Sequence, residues 1–169
     1  MTETGTTNQP LLADPRIQRA IELVWREAAL LDAKDYPTWE QLYTDEAIYV
    51  IPIDPETDDF RGSLNMVYDD QRLRHLRVER LVQGYSPSAV AAARTVRIVS
   101  RFTVEALSDT EVTLRSAQIV NAYKRHEFLT LGAELTHRIV LGDDGDKIAL
   151  KVIRLNDSED AVSASGYLL

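Results

Sequence analysis

Apolar residues change their spacing near residue 94, and that change divides the chain into a helical half and a β half. Ile17, Ile21, Val24, Ala28 and Leu31 recur at helical spacing and form one stripe. Asp14-Pro15 ahead of them is a start signal, an Asp N-cap followed by Pro at the first helical position. The pattern predicts a helix to about Lys34. Pro37 opens a second, short helix expected to carry Trp39, Leu42 and Tyr43. Ile48-Tyr49-Val50-Ile51 is β-branched and aromatic and stops at Pro52, which predicts a strand. An acidic loop is expected over 54–62 and a short extended piece at Met66-Val67-Tyr68. Asp69 and Asp70 stand where a helix N-terminus favours negative charge. Leu73, Leu76, Arg77, Arg80 and Leu81 continue that helix to about Val82, and Gly84 can close it.

From Arg94 onward the period is two. Val96, Ile98, Phe102, Val104 and Ala106 are expected on one face, with Arg97, Arg101, Thr103 and Glu105 on the other. After a turn at Ser108-Asp109, Val112, Leu114, Val120 and Ala122 repeat the alternation. Leu129, Leu131, Leu135, Ile139 and Leu141 mark a third long strand. Asp143-Asp144-Gly145 is a hairpin turn, and Ile148, Leu150 and Val152 mark a fourth. No helical pattern separates these strands, so they should be antiparallel neighbours. The order of elements predicts an α+β domain, with helices packed on one face of a curved antiparallel sheet. Residues 1–13 read as a disordered arm and 14–169 as one domain.

Composition narrows the function. With 169 residues the chain can bury roughly 70% of its unfolded surface, enough for a core without staples. The net charge of -8 is repelled by phosphate backbones and anionic lipids, so neither nucleic acid nor membrane is expected as a partner. No cysteine is present, which excludes thiolate zinc sites, a catalytic thiol and a self-held iron–sulfur cluster. The first ten residues lack a basic start and an apolar stretch, so a cytoplasmic location is expected.

Candidate chemistry is sparse. The three histidines, His75, His126 and His137, show no HxH, HxE or HExxH spacing, and no metal site is expected. Glycine fingerprints for phosphates and GxSxG are absent; Ser86, Ser88, Ser163 and Ser165 read as turn residues. Cone-shaped α+β domains can hold a pocket in which an Asp or His beside a Tyr moves protons. Asp35, Tyr49, Tyr68, His75 and His137 are the candidates, against the plainer reading that Asp35 caps the second helix and the tyrosines fill core edges. Arg72, Arg74, Arg77 and Arg80 form a basic helix in an acidic chain. Arginines at an apolar border favour bidentate carboxylate pairs, within the chain or across an interface.

Leu30-Leu31-Asp32, Tyr36, Trp39, Leu42-Tyr43, Asp45, Tyr49 and Pro52 resemble the opening of the small (β) subunits of aromatic-ring-hydroxylating dioxygenases. Tyr68-Asp69-Asp70 with Leu73, Leu76, Arg77-Val78 and Arg80-Leu81 is similar to the family's Tyr-Asp-Asp block and its Arg-Val-x-Arg-Leu run. Arg94-Thr95-x-Arg97 followed by Val99-Ser100 resembles its next block. The family often has Trp-Pro ahead of that block and Asn after Val-Ser; here the residues are Ser86-Pro87-Ser88-Ala89 and Arg101. The resemblance implies a strongly curved antiparallel or mixed sheet with the N-terminal helices in its concavity, like nuclear transport factor 2. It also implies no cofactor on this chain and a catalytic α subunit as partner. That subunit would carry a Rieske [2Fe–2S] cluster and Fe(II), receive electrons from NAD(P)H through a reductase, and join other β subunits in an α3β3 hexamer. Asp69, Asp70, Arg77, Arg80, Arg94 and Arg97 become candidate structural or interface residues. Two alternatives stay open: a stand-alone cone-fold dehydratase, isomerase or cyclase using the pocket residues above, and a small-ligand binding module without chemistry.

Overall fold

The computed structural model of the chain describes residues 10–84, 93–158 and 168–169. Asp14 caps helix α1 (Pro15–Ala33), its carboxylate accepting from the Arg16 amide at 2.9 Å, and Lys34 ends it in the left-handed conformation. Leu11–Ala13 form a single 3-10 turn ahead of it. The rest of the expected disordered arm, residues 1–9, lies outside the described residues, as do Ser86, Ser88, Ser163 and Ser165. Asp35 caps α2 (Tyr36–Glu40) by accepting from the Thr38 amide. This helix is shorter than its apolar residues suggest. Tyr43 already belongs to β1 (Tyr43–Pro52), because a turn at Gln41 and Leu42 redirects the chain into the sheet. Strand β2 (Asn65–Asp69) and helix α3 (Gln71–Gln83) follow, with Asp70 as the N-cap of α3 and Gly84, at φ +68°, as its close. Asp69 is thus the last residue of a strand and not part of the helix start.

Four long strands complete the chain: β3 (Arg94–Leu107), β4 (Glu111–Lys124), β5 (Glu127–Val140) and β6 (Lys147–Leu155). They form the expected antiparallel meander. The first strand closes on the last. The sheet order is β2-β1-β6-β5-β4-β3, and β1 runs parallel to β6. Helix α1 packs on β3 and β4, yet its Glu27 also reaches β5 and β6. These contacts seat α1 across the inner face of β3, β4, β5 and β6. The result is the expected α+β cone with helices in the concavity.

One strand departs from its simple alternation. The core takes Thr95, Arg97 and Val99 from the first half of β3, whereas Phe102 and Val104 face inward from the second half. The register slips between Ser100 and Thr103, where Arg101 adopts φ +56°. An extra residue in one strand of a pair reverses which side chains point inward. Val96 and Ile98, expected inside, are each 62% exposed on the outer face. Helix α3 shows a comparable inversion. It buries Arg74 and Val78, while Leu73 is exposed and Leu76 and Leu81 are half-buried.

Candidate functional site

Sheet register assembles the most chemically loaded part of the interior. Tyr49 pairs with Lys151, and Lys151 pairs with His137, so three polar residues lie abreast on β1, β6 and β5. Directly paired residues point to the same face, and this face is the inside of the cone. Glu27 descends onto the row from α1, where it shares the buried stripe with Val24, Ala28 and Leu31. His137, Lys151 and Glu27 are 0%, 1% and 2% exposed.

Glu27 accepts four hydrogen bonds. Its Oε1 takes the Trp39 indole N–H at 3.0 Å, the Tyr43 hydroxyl at 2.5 Å and the Lys151 ammonium at 3.0 Å. Its Oε2 takes the His137 Nε2–H at 2.9 Å. Burial alone would raise the Glu27 carboxyl; the Lys151 charge, the His137 bond and the Tyr43 hydroxyl together outweigh it and hold the group below the usual carboxylate range. Burial lowers His137, with Glu27 opposing. Burial likewise lowers Lys151 against the pull of Glu27. Burial raises Tyr43 well above the usual phenol value, and the charge and hydrogen bond of Glu27 add to the rise. The consistent assignment is an ionised Glu27, a protonated Lys151 with two acceptors, and a neutral His137. The buried His137 Nδ1 has no partner among the described residues, which suits a bare ring nitrogen better than an N–H.

Two further residues close this space. Leu168 and Leu169 are 4% and 3% exposed. The main-chain oxygen of Leu169 accepts from Lys151 Nζ at 2.8 Å and from the Tyr49 hydroxyl at 2.8 Å, and the Leu169 amide donates back to that hydroxyl at 2.9 Å. The Leu168 carbonyl accepts from the Arg97 guanidinium. Arg97 is held in turn by Asp32, whose carboxylate also accepts from the Arg97 amide at 2.8 Å and the Thr95 hydroxyl at 2.9 Å.

Of the five residues expected to share a pocket, the fold brings only Tyr49 and His137 together. Asp35 is a helix cap, as its plainer reading held. Tyr68 lies on the edge strand β2, its hydroxyl accepting from Arg61 Nε at 3.3 Å. His75 is exposed on α3, with Nδ1 at 3.1 Å from Glu40 and Nε2 at 3.5 Å from Glu79. His126 lies in the β4–β5 turn. Among the described residues, no three His, Cys, Asp or Glu gather as a metal site would require.

The arginine candidates separate. Arg77 makes a bidentate pair with the buried Asp69, Nε to Oδ2 at 2.6 Å and Nη2 to Oδ1 at 3.1 Å, which holds Arg77 above its ordinary pKa. Arg74 donates to the carbonyls of Thr44, Ala47 and Asp69. Arg97 is buried against Asp32. Arg80 and Arg94 are exposed. On the outer face, the register sets Ile98 beside Ile119, and Arg94 in line with Tyr123 and Phe128. Ile119 and Phe128 are 51% and 73% exposed. A separate open groove of about 690 Å³ lies over β5 and β6 beneath the acidic loop, bordered by Asp58, Phe60, Glu105, Arg115 and Arg154.

Sequence reasoning missed Glu27, Lys151, Asp32 and the Leu168–Leu169 segment as parts of a site. A signal existed for the first two: an acid inside an apolar helical stripe, and a lysine within the run Ile148-Ala149-Leu150-Lys151-Val152-Ile153.

Comparison with known proteins agrees with this architecture. The family model described as ring hydroxylating beta subunit matches residues 26–159. No curated protein sequence matches the chain. The β subunit of benzoate 1,2-dioxygenase from Burkholderia mallei superposes with a TM-score of 0.73 at 20% identity, over 92% of this chain and 97% of that one. A chain of naphthalene 1,2-dioxygenase superposes with a TM-score of 0.69 at 17% identity, over 89% and 82%. A candidate scytalone dehydratase from Novosphingobium aromaticivorans gives 0.66 at 12% identity, over 89% and 91%. At these identities the likeness speaks for the fold alone.

Proposed function

This chain belongs to the ring hydroxylating beta subunit family, and from that premise we propose that it is the small, non-catalytic subunit of a Rieske non-haem iron oxygenase acting on aromatic rings. Its partner in this reading is a catalytic α subunit holding the [2Fe–2S] cluster and Fe(II), fed by NAD(P)H through a reductase. The assembly is α3β3, with β subunits also in contact, in the cytoplasm. The observation that carries the reading is the match over most of the chain together with the absence of cysteine. A Rieske centre needs two Cys and two His, so this chain's residues do not fit that group and a partner must supply it.

The interior supports a structural role. Glu27 is buried and already accepts four hydrogen bonds from its neighbours, and Leu168 and Leu169 lie over the row, so this carboxylate is engaged within the fold and not presented to a substrate. The outer face supports docking. Val96, Ile98, Ile119 and Phe128 are apolar and exposed, and exposed Arg94 stands in register with Tyr123 and Phe128 at their edge. Interfaces favour aromatic and apolar centres with Arg at the border. We assign this face to the α subunit, with exposed Arg80 on α3 as a further contact.

Co-expression with a catalytic α subunit tests the reading. A stable complex should form, with iron bound to the α chain alone. Ile98→Asp should leave this chain folded and abolish the complex. Iron and turnover in the isolated chain would replace the proposal with the stand-alone enzyme.

A further inference from the structure

The outer face of β3, β4 and β5 is poor in free carboxylate, although the chain carries 27 Asp and Glu against 19 Lys and Arg. Register lays four rows across these strands, from Arg94, Tyr123 and Phe128 at one end to Ser100, Ala117 and Glu134 at the other. The rows hold a single acid, Glu134, and Arg101 is already bonded to it. At the opposite end Arg94 and Arg125 are both exposed. Arg125 lies in the β4–β5 turn, and the turn leans toward this face. There the His126 Nδ1 is 3.3 Å from the Tyr123 hydroxyl, and the two rings meet edge-on with centroids 6.5 Å apart. Among the described residues, the arginines in ion pairs are Arg16, Arg19, Arg77, Arg97, Arg101, Arg115 and Arg154, and neither Arg94 nor Arg125 is one of them. Glu127, the acid nearest to Arg125 in sequence, is in register with Lys124. Residues 85–92, ahead of Arg94, contain no acid.

This pattern discriminates between occupants. An arginine beside an apolar patch is best met by a carboxylate, which it can hold with two parallel hydrogen bonds. A second copy related by a two-fold axis would bring the same face, with no free acid for either arginine. We propose that the α subunit covers this face with a segment that is apolar at its centre and acidic at one end, its Asp or Glu side chains meeting Arg94 and Arg125. The apolar part seats on Val96, Ile98, Ile119 and Phe128. Acid at one end alone also fixes the direction in which the segment lies, because Arg101 at the far end already has Glu134. The proposal rests on the oxygenase reading and adds to it the chemistry of the partner's surface. Charges at the rim of an interface act mainly on encounter and orientation, and salt screens them.

The test measures binding of the full chain to a catalytic α subunit by surface plasmon resonance. Arg94→Glu combined with Arg125→Glu should weaken the complex about tenfold at low salt, mostly through slower association. In about 0.5 M NaCl, where the Debye length is about 4 Å, the loss should shrink to less than about threefold. Arg138→Glu makes a like charge change on β5 outside these rows, in register with Thr113 and Leu150, and should leave the affinity unchanged. If the reversed chain does not fold, Arg94→Ala with Arg125→Ala takes its place and should give a smaller loss with the same salt dependence. A wild-type complex that the reversal leaves intact, or that Arg138→Glu weakens equally, overturns this inference and leaves the oxygenase reading standing. A wild-type chain that binds no α subunit overturns both. Self-association of the isolated chain that Ile98→Asp abolishes would give the face to a second copy and overturn this inference.

Discussion

Replacing Glu27 with Gln probes the cluster that joins helix and sheet. The substitution hardly changes shape but changes what the group can accept. An ionised carboxylate offers about four lone-pair sites and no donor, and Glu27 accepts from all four groups around it, three on Oε1 and one on Oε2. A glutamine offers two acceptor sites and two N–H donors. At least two of Trp39, Tyr43, His137 and Lys151 must then lose their acceptor, and the new NH₂ faces other donors. The Lys151 charge also loses its counter-ion at 1% exposure. Removing one member of a buried ion pair costs about 3–5 kcal/mol, a large share of the roughly 5–15 kcal/mol that holds a domain folded. At about 2–4 °C per kcal/mol for a chain of this size, Tm should fall by roughly 6–20 °C. Urea unfolding followed by circular dichroism measures the same loss at constant temperature. Lys151→Met should cost a similar amount. The double variant should be less damaging than the sum of the two by at least about 1 kcal/mol, because the second change removes a charge already stranded by the first. A Glu27→Gln chain within about 1 kcal/mol of wild type, or strictly additive losses, would refute the assignment of an ionised Glu27.

Acid should destabilise the fold in two steps. His137 is lowered from 6.5 and Glu27 from 4.5, so both bind fewer protons folded than unfolded, and stability must fall as pH falls. The His137 contribution is complete above about pH 6.5 and drains away below it, and that of Glu27 follows below about 4.5; urea midpoints of a His137→Gln chain should be flatter across the first interval. Arg125 and His126 both hold positive φ in the two-residue β4–β5 turn, at 53° and 68°. Arg125→Asn with His126→Gly should therefore raise stability by about 1–2 kcal/mol in thermal unfolding; no gain would mean the turn is unstrained. Arg77→Glu removes the partner of buried Asp69 and should lower the Tm of the isolated chain. Arg80→Glu should leave that Tm unchanged and weaken only the complex with the α subunit, read by size-exclusion chromatography.

Periodicity made much of the fold legible. Helix α1 begins at Asp14-Pro15 and ends at Lys34 as the pattern implies, and Leu131, Leu135, His137 and Ile139 alternate inward along β5 as a half-buried strand should. What escaped were features set by partners distant in sequence. The bulge at Arg101 reverses the phase of β3, and no local residue announces it; arginine is a poor occupant of φ +56°, a conformation that Asn adopts more readily. That preference gives a backbone reason for the Asn that the family commonly has after Val-Ser. Tyr43 falls in β1, after the turn at Gln41 and Leu42, and from there its hydroxyl reaches Glu27. The site was only half legible. Tyr49 and His137 were singled out, but the register that sets Lys151 between them depends on the parallel pairing of the first strand with the last, which alternation alone cannot reveal.

That pairing governs how the protein is made. During synthesis β1 leaves the ribosome with β2 on one edge and nothing on the other, since its second neighbour is the last strand to appear. Until then Tyr49 has no lysine beside it and Glu27 no cation, so a carboxylate destined for the interior must stay wet. Newly made chains should therefore rely on chaperones until β6 docks, and truncations that remove β6 should aggregate instead of leaving a smaller folded core.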